Sequence, residues 1–372
     1  MFFGSQKSHF LGIDFGTSLI KAVELTVEGG APRLVNYGQV DLTSLEKGKI
    51  PVEHTYDDEV SLYLRALLER FHPKSKSAYV AIPSFTGLFS LIELPEMKEE
   101  ELGQAVRFEA HKYIPSALED VVLSWEIVGN QPATEEGGAG KLEILLVAAL
   151  TKEVDRYRQY LVDAQLKMEF LELETFSLVR AVVGNEPGIR LIVDMGSRTT
   201  NLVLVEDGLV KMSRNIDAGG SDITRMLVEG LDITLARAET LKKSEKDFLS
   251  VPESALVFPA LELIVSEAER MLASFKAKYP DKEFSAIILS GGMAQMTGLL
   301  TYFSKIFQLP VSVADPWSHI SYDAELKPKI DQLGTSFSVA LGLALAGIEG
   351  LKPKKESFKK PFSLKELLTK KL

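Results

Sequence analysis

Apolar residues fall along this chain in short dense runs broken by polar turns, first with strand-like and then with helix-like spacing. Residues 9–15, 20–27 and 33–40 read as three strands, with Glu28-Gly29-Gly30 as the second turn. Over 57–71 the apolar positions become Val60, Leu64, Leu67, Leu68 and Phe71, which predicts an amphipathic helix, and 79–83 is strand again. The same order returns later. Strands are expected at 190–194, 200–205 and 209–216, a hairpin turn at Glu206-Asp207-Gly208, and a helix from about Ser221. Two hairpin-led α/β units of one design predict a pseudo-symmetric protein of two lobes with a cleft between them.

Between the copies, 85–167 has another character: strand 89–94, helix 98–113, strands 121–128 and 142–150, helix 151–165. Its Gly/Ala-rich loop, 129–141, is expected to be mobile. This α+β segment has no phosphate loop, and its expected role is contact. The expected division is 1–84 for the first-lobe core, 85–167 for the inserted subdomain and 168–186 for a connector holding a helix at 175–183. The second-lobe core takes 187–220 and 285–334 around a helical subdomain at 221–284. A small-residue helix at 335–348 returns to the first lobe, and 349–372 is a Lys-rich tail.

At 372 residues the chain exceeds one ordinary hydrophobic core, in keeping with two lobes. The absence of cysteine excludes disulfides, a thiol nucleophile and thiolate metal sites, and the five scattered histidines show no paired ligand spacing. No apolar run reaches the ~20 residues of a membrane span, and no signal-peptide pattern opens the chain, so a cytoplasmic place is expected. Net charge is −10; from Gly350 onward, eight lysines and two glutamates give the tail +6 and leave −16 for the rest. Net positive charge that sits in a tail rather than on a folded face argues against nucleic acid as partner.

Ile13-Asp14-Phe15-Gly16-Thr17-Ser18-Leu19-Ile20-Lys21 recurs in altered form as Val193-Asp194-Met195-Gly196-Ser197-Arg198-Thr199-Thr200. Each copy ends an apolar strand in Asp-x-Gly-[Thr/Ser] and enters another strand. Such turns can hold a polyphosphate through successive backbone N–H groups, with Gly16 and Gly196 permitting close approach. Thr17, Ser18, Ser197 and Thr199 add hydroxyls, and Lys21 adds an ammonium. Asp14 and Asp194 at the strand ends suit Mg²⁺ held through water. Gly291-Gly292-Met293 after an apolar strand, read as leading into a helix, offers backbone on which a flat base can lie. Gly219-Gly220 precedes a helix whose N-terminus is expected to be open to an anion or a ribose hydroxyl. Glu239 and Lys242 share one helical face and read either as ligand contacts or as a solvated ion pair.

The order of these motifs resembles the actin-like ATPase superfamily, over residues 9–347. In that resemblance Asp14–Lys21 and 194–200 are the two phosphate motifs and 290–294 the adenosine motif, while 174–184 and 339–346 are the crossing connectors. It implies an α/β, two-lobed fold binding ATP and Mg²⁺, slow ATPase activity, and Glu239 and Lys242 beside ribose and adenine. Glu174 would orient the attacking water; its other reading is a plain charge at a helix N-terminus.

Within 92–125, Ile92-Glu93-Leu94-Pro95-Glu96-Met97, Ala105-Val106-Arg107-Phe108-Glu109-Ala110, Tyr113-Ile114-Pro115 and Val121-Val122-Leu123-Ser124-Trp125 resemble the PilM family of type IV pilus assembly proteins. Like the division protein FtsA, that family carries an α+β inserted subdomain in its first lobe. The resemblance implies a cytoplasmic scaffold at the inner face of the cell membrane, with the N-terminal segment of a PilN-like membrane protein docked beside the insertion. Phe108, Tyr113 and Ile114 read either as contact residues or as subdomain core. Two rivals stand beside it: an FtsA-like polymerising, self-associating membrane tether, and a small-molecule kinase. In the tail, Leu364, Leu367, Leu368 and Leu372 fall on one helical face, which reads as a weak membrane-surface contact or as a solubilising extension.

Overall fold

The computed structural model describes residues 8–42, 56–131, 140–244, 246–249 and 257–350. Most of the expected 129–141 loop, and the tail beyond Gly350, lie outside them. The described residues group into two compact units. One takes residues up to Phe15, Ile20–Ser177 and those from Leu343 on; the other takes Gly16–Leu19 and Leu178–Gly342.

The first unit opens with β1 (His9–Phe15), β2 (Leu19–Glu28) and β3 (Ala31–Asp41), then α1 (Tyr56–Phe71) and β4 (Ser77–Ile82). There follow β5 (Gly87–Pro95), α2 (Glu99–Ala110), β6 (Val121–Gln131), β7 (Lys141–Leu150), α3 (Thr151–Asp163), β8 (Lys167–Leu173) and α4 (Glu174–Val182), at whose start the unit ends. The main sheet has the order β3-β2-β1-β4-β8, with β1 antiparallel to β2 and parallel to β4. Both faces of β1 are covered, so Leu11 and Ile13 are fully buried and the strand reads as a continuous apolar run.

The insertion is an antiparallel sheet of order β5-β7-β6. Ile92, Leu94, Ile144 and Leu146 of its sheet pack with Leu102, Val106 and Ala110 of α2 and with Ile114. Of the three residues left between core and surface, Ile114 is core, whereas Phe108 is 75% and Tyr113 41% exposed. Helix α3 sits against α1 as well as against the insertion. Tyr160 on α3 donates to Asp57 Oδ1 on α1 at 2.5 Å. Strand β8 was not among the expected elements.

The second unit repeats the opening. Strands β9 (Ile189–Met195), β10 (Thr200–Glu206) and β11 (Leu209–Ile216) are followed by α5 (Gly220–Leu231), α6 (Leu235–Lys242), α7 (Pro259–Lys278) and β12 (Phe284–Ser290). Then come α8 (Leu299–Phe307), β13 (Val311–Val313), α9 (Lys327–Leu333) and α10 (Ser338–Glu349). Its sheet order, β11-β10-β9-β12-β13, reproduces the first sheet strand for strand, with β9 antiparallel to β10 and parallel to β12. Leu191, Val193, Leu202, Leu204, Ile287 and Leu289 form its core with Ile264, Ala268, Met271 and Phe275 of α7.

One difference from the sequence reading concerns Gly291-Gly292. No helix follows directly; turns occupy 291–298, and α8 begins at Leu299. A second concerns length: the Ala324–Glu349 stretch is apolar enough on average for a membrane span, but 67% of its most apolar window is buried inside the protein. The stretch holds α9 and α10, packed largely inside the protein.

Candidate functional site

The two Asp-x-Gly turns close alike. Gly16 N–H donates to Leu19 O at 3.0 Å, and Gly196 N–H to Thr199 O at 2.9 Å. A Cβ on either glycine would stand 2.9 Å from that carbonyl, which explains the residue type. In strand register Asp14 faces Lys21, and Asp194 faces Asn201. The turn-closing bond leaves Thr17 and Ser18 in one turn, and Ser197 and Arg198 in the other, as the two apex residues. Their N–H groups enter no backbone bond among the described residues.

Asp14 is 8% exposed, and Lys21 Nζ lies 3.6 Å from its Oδ2. Burial raises the Asp14 carboxyl above its ordinary range, and the Lys21 ammonium pulls the other way. Among the described residues, no three His, Asp or Glu side chains gather as a metal cage. A metal taken here would therefore keep most of its ligands as water or phosphate oxygen. A strand-end aspartate such as Asp14 is the donor type that a largely hydrated Mg²⁺ takes.

The glycine loops of the second unit are tied together by backbone. Gly220 N–H donates to Gly196 O (3.0 Å) and Ser221 N–H to Ser197 O (2.8 Å). The Ser197 and Ser221 hydroxyls lie 2.9 Å apart. A Cβ on Gly219 would meet Ser197 O at 2.7 Å. These bonds correct one expectation: two N–H groups at the start of α5 are taken by carbonyls of the Asp194 turn, and Asp222 Oδ2 accepts from Gly219 N–H at 2.9 Å. The helix N-terminus supports the turn rather than standing open.

Gly291 adopts φ +82°, where an added Cβ would stand 2.3 Å from the Met195 carbonyl oxygen, and Met293 N–H donates to Met195 O at 3.3 Å. Thr335 Oγ1 donates to Gly291 O at 2.5 Å. Buried Met293 brings its sulfur to 2.9 Å from where a Gly220 Cβ would be, whereas the Cβ position of Gly292 meets nothing within 4 Å. On the other side Lys242 Nζ donates to Gly220 O (3.1 Å), Thr224 Oγ1 (2.6 Å) and Glu239 Oε1 (2.6 Å). Burial alone would raise the Glu239 carboxyl, but the bonds from Lys242 and Thr224 outweigh it and hold the group below its usual range. Lys242 is pushed down by its own burial.

Gly196, Ser197, Gly219, Gly220, Glu239, Lys242, Gly291 and Met293 thus form one connected set, with Gly292 and Thr199 beside it. Glu174, at the start of α4, accepts from Ser84 N–H at 3.0 Å, and Ser84 Oγ lies 2.6 Å from Thr175 Oγ1. That bond holds the β4–β5 connection to α4. Sequence reasoning missed Thr224, Thr335 and Arg198. The first two are joined to the loops only through space, whereas Arg198 lay inside a motif already singled out. A cavity of about 480 Å³ in the second unit, lined by Gln295, Asp315, Trp317, Tyr322 and Asp331, holds none of the residues singled out.

Residues 12–348 match the family described as type IV pilus assembly protein PilM. FtsA of Neisseria meningitidis serogroup B is 23% identical over 275 residues, 66% of this chain and 64% of FtsA. FtsA of Rhizobium meliloti is 26% identical over 178 residues, 41% of this chain and 39% of that protein. The chain thus spans less than two thirds of the length of these curated relatives. A solved PilM–PilN type IV pilus biogenesis complex superposes with TM-score 0.73 at 22% identity, covering 93% of this chain and 100% of that one. The ethanolamine utilization protein EutJ from Carboxydothermus hydrogenoformans superposes with TM-score 0.52 at 19% identity, covering 91% and 89%. At these identities the likeness shows the fold alone, and the fold is the actin-like ATPase one.

Proposed function

This chain belongs to the PilM family of type IV pilus assembly proteins, and we propose that it is an ATP·Mg²⁺-binding cytoplasmic scaffold at the inner face of the cell membrane, docking the N-terminal segment of a PilN-like membrane protein. The observation that carries the nucleotide half is the duplicated turn. Two Asp-x-Gly turns each close with a bond of the same kind, Gly16 N–H to Leu19 O and Gly196 N–H to Thr199 O, and each leaves two apex N–H groups beside a strand-end aspartate. Phosphate oxygens suit such N–H groups, and Asp14 and Asp194 suit a hydrated Mg²⁺. The connected loops at Gly220 and Gly291, with Lys242 and Glu239, would take ribose and base.

The partner half rests on the family and on the surface of the insertion. Phe108 and Tyr113 stand exposed on and just after α2 although the subdomain has a complete core of its own. Exposed aromatic side chains that packing does not need are the usual anchors for a bound peptide. In this reading nucleotide and peptide are coupled through α3, which packs both on the end of β1 and on the separate sheet of the insertion. Phe15, between Asp14 and Gly16, packs on Tyr157 (5.3 Å) and Tyr160 (5.6 Å) of α3. Helix α3 in turn touches β6 and β7.

The test is the affinity for the partner's N-terminal peptide with and without Mg·ATP, in wild type and in Asp194→Ala. The proposal expects an ATP-dependent change that vanishes in the variant. Equal affinities throughout would remove the coupling, and no peptide binding at all would remove the partner. Filaments formed with ATP on lipid vesicles would instead favour an FtsA-like tether.

A further inference from the structure

The two turns match in backbone but differ in where they carry positive charge. In the first, the apex residues Thr17 and Ser18 are neutral, and the cation is Lys21, opposite Asp14 in the strand register. In the second, the position opposite Asp194 holds the neutral Asn201, and the cation stands at the apex as Arg198. Each copy of the duplication has one cation, but the second has moved it from the outgoing strand to the tip of the turn.

Arg198 is not part of the packing. Its side chain is 71% exposed, and its Nε donates to Asp217 Oδ1 at 3.2 Å, the aspartate itself being 74% exposed. An ion pair so open to water is weak and exchanges readily. Asp217 lies two residues before Gly219, whose neighbours Gly220 and Ser221 are bonded to the Asp194 turn. The pair therefore spans the two glycine loops beside the apex N–H groups of Ser197 and Arg198. An arginine fork is the side chain best shaped to grip a phosphate through two parallel N–H bonds, and phosphate competes directly with a carboxylate for it.

We propose that Arg198 is a phosphate-binding residue of the second turn, parked on Asp217 in the free protein and transferred to the phosphates of a nucleoside di- or triphosphate. Asp217 is then a competitor that sets the affinity: an anion entering the turn takes the guanidinium and must tolerate the aspartate beside it. The inference deepens the nucleotide reading and rests on it, so the test carries a phosphate probe without a nucleoside.

The full chain is titrated calorimetrically with Mg·ATP, Mg·ADP, adenosine and inorganic tripolyphosphate, as wild type, Arg198→Ala, Arg198→Lys and Asp217→Asn. Arg198→Ala should weaken ATP and tripolyphosphate about tenfold or more, leave adenosine unchanged, and leave the melting temperature in place because the side chain is exposed. Arg198→Lys should recover part of the loss. Asp217→Asn should tighten both phosphate ligands, by a factor that shrinks as salt rises. Arg198→Ala binding ATP and tripolyphosphate like wild type, losing adenosine equally, or Asp217→Asn binding ATP more weakly would each overturn the proposal. Tripolyphosphate binding that needs Arg198, without a preference for ATP, would keep this inference and remove the nucleotide reading instead. Wild type that binds neither ATP nor tripolyphosphate overturns both.

Discussion

Replacing Gly292 by alanine separates the fold of the third glycine loop from its use. A Cβ at Gly292 would meet nothing within 4 Å, and the residue is not among the glycines with positive φ. The variant should therefore fold with a stability change within about 0.5 kcal/mol. If a base lies on this backbone, the added methyl enters the ligand's space, and overpacking of that kind costs about 1–3 kcal/mol. That corresponds to an ATP affinity lower by roughly 5- to 150-fold. Gly291 is the control with the opposite signature. At φ +82° its Cβ would stand 2.3 Å from Met195 O and 2.6 Å from Met195 C. Left-handed strain of about 1–2 kcal/mol and a clash of about 1–3 kcal/mol should together cost Gly291→Ala about 2–5 kcal/mol of stability. For a unit of this size that lowers the melting temperature by very roughly 4–20 °C. Thermal melts and ATP calorimetry on both variants decide it. Gly292→Ala binding ATP like wild type, or Gly291→Ala melting like wild type, would show the loop to be built or used differently.

Glu239→Gln should destabilise the protein at neutral pH by about 1 kcal/mol, since the carboxylate is partly exposed and screened. Because its folded-state carboxyl lies below its ordinary 4.5, that stability is present above about pH 4.5 and lost as pH falls through the folded value. Denaturant melts should show the wild-type advantage shrinking in acid; an advantage independent of pH would count against the bond. Tyr160→Phe removes the α3–α1 bond to Asp57 and should cost about 1 kcal/mol; an unchanged melt would mean that the bond is not formed. Phe108→Ala, at a 75% exposed position, should leave the melt unchanged and weaken the partner peptide by about tenfold or more. Unchanged peptide affinity would remove Phe108 from the contact surface.

The strands of both main sheets were legible wherever burial on both faces left a run of apolar residues, as in β1, β9 and β12. Strand β8 was missed because Glu172 interrupts its apolar pattern. That carboxylate is fully buried and accepts from Ser177 Oγ at 2.8 Å, a partner no periodicity can reveal. Strand β13 has only three residues and owes its existence to pairing with β12. The helix expected after Gly291-Gly292 is displaced because Met293 N–H turns back to Met195 O, a contact nearly a hundred residues apart in sequence. The same holds at α5: Gly219-Gly220 announced a helix start, but only the folded chain shows Gly196 and Ser197 carbonyls filling it. Local chemistry could be read along the chain, whereas which groups were already spoken for could not.

Whether the Asp-x-Gly turns bind a metal-bound nucleotide is decided by a calorimetric titration with ATP, with and without Mg²⁺, of wild type, Asp14→Ala and Asp194→Ala. Wild type should show saturable, Mg²⁺-dependent binding, and both variants should lose it while remaining folded by circular dichroism. Titrations indistinguishable among the three proteins, or wild type that takes up no ATP, would contradict nucleotide binding at these turns.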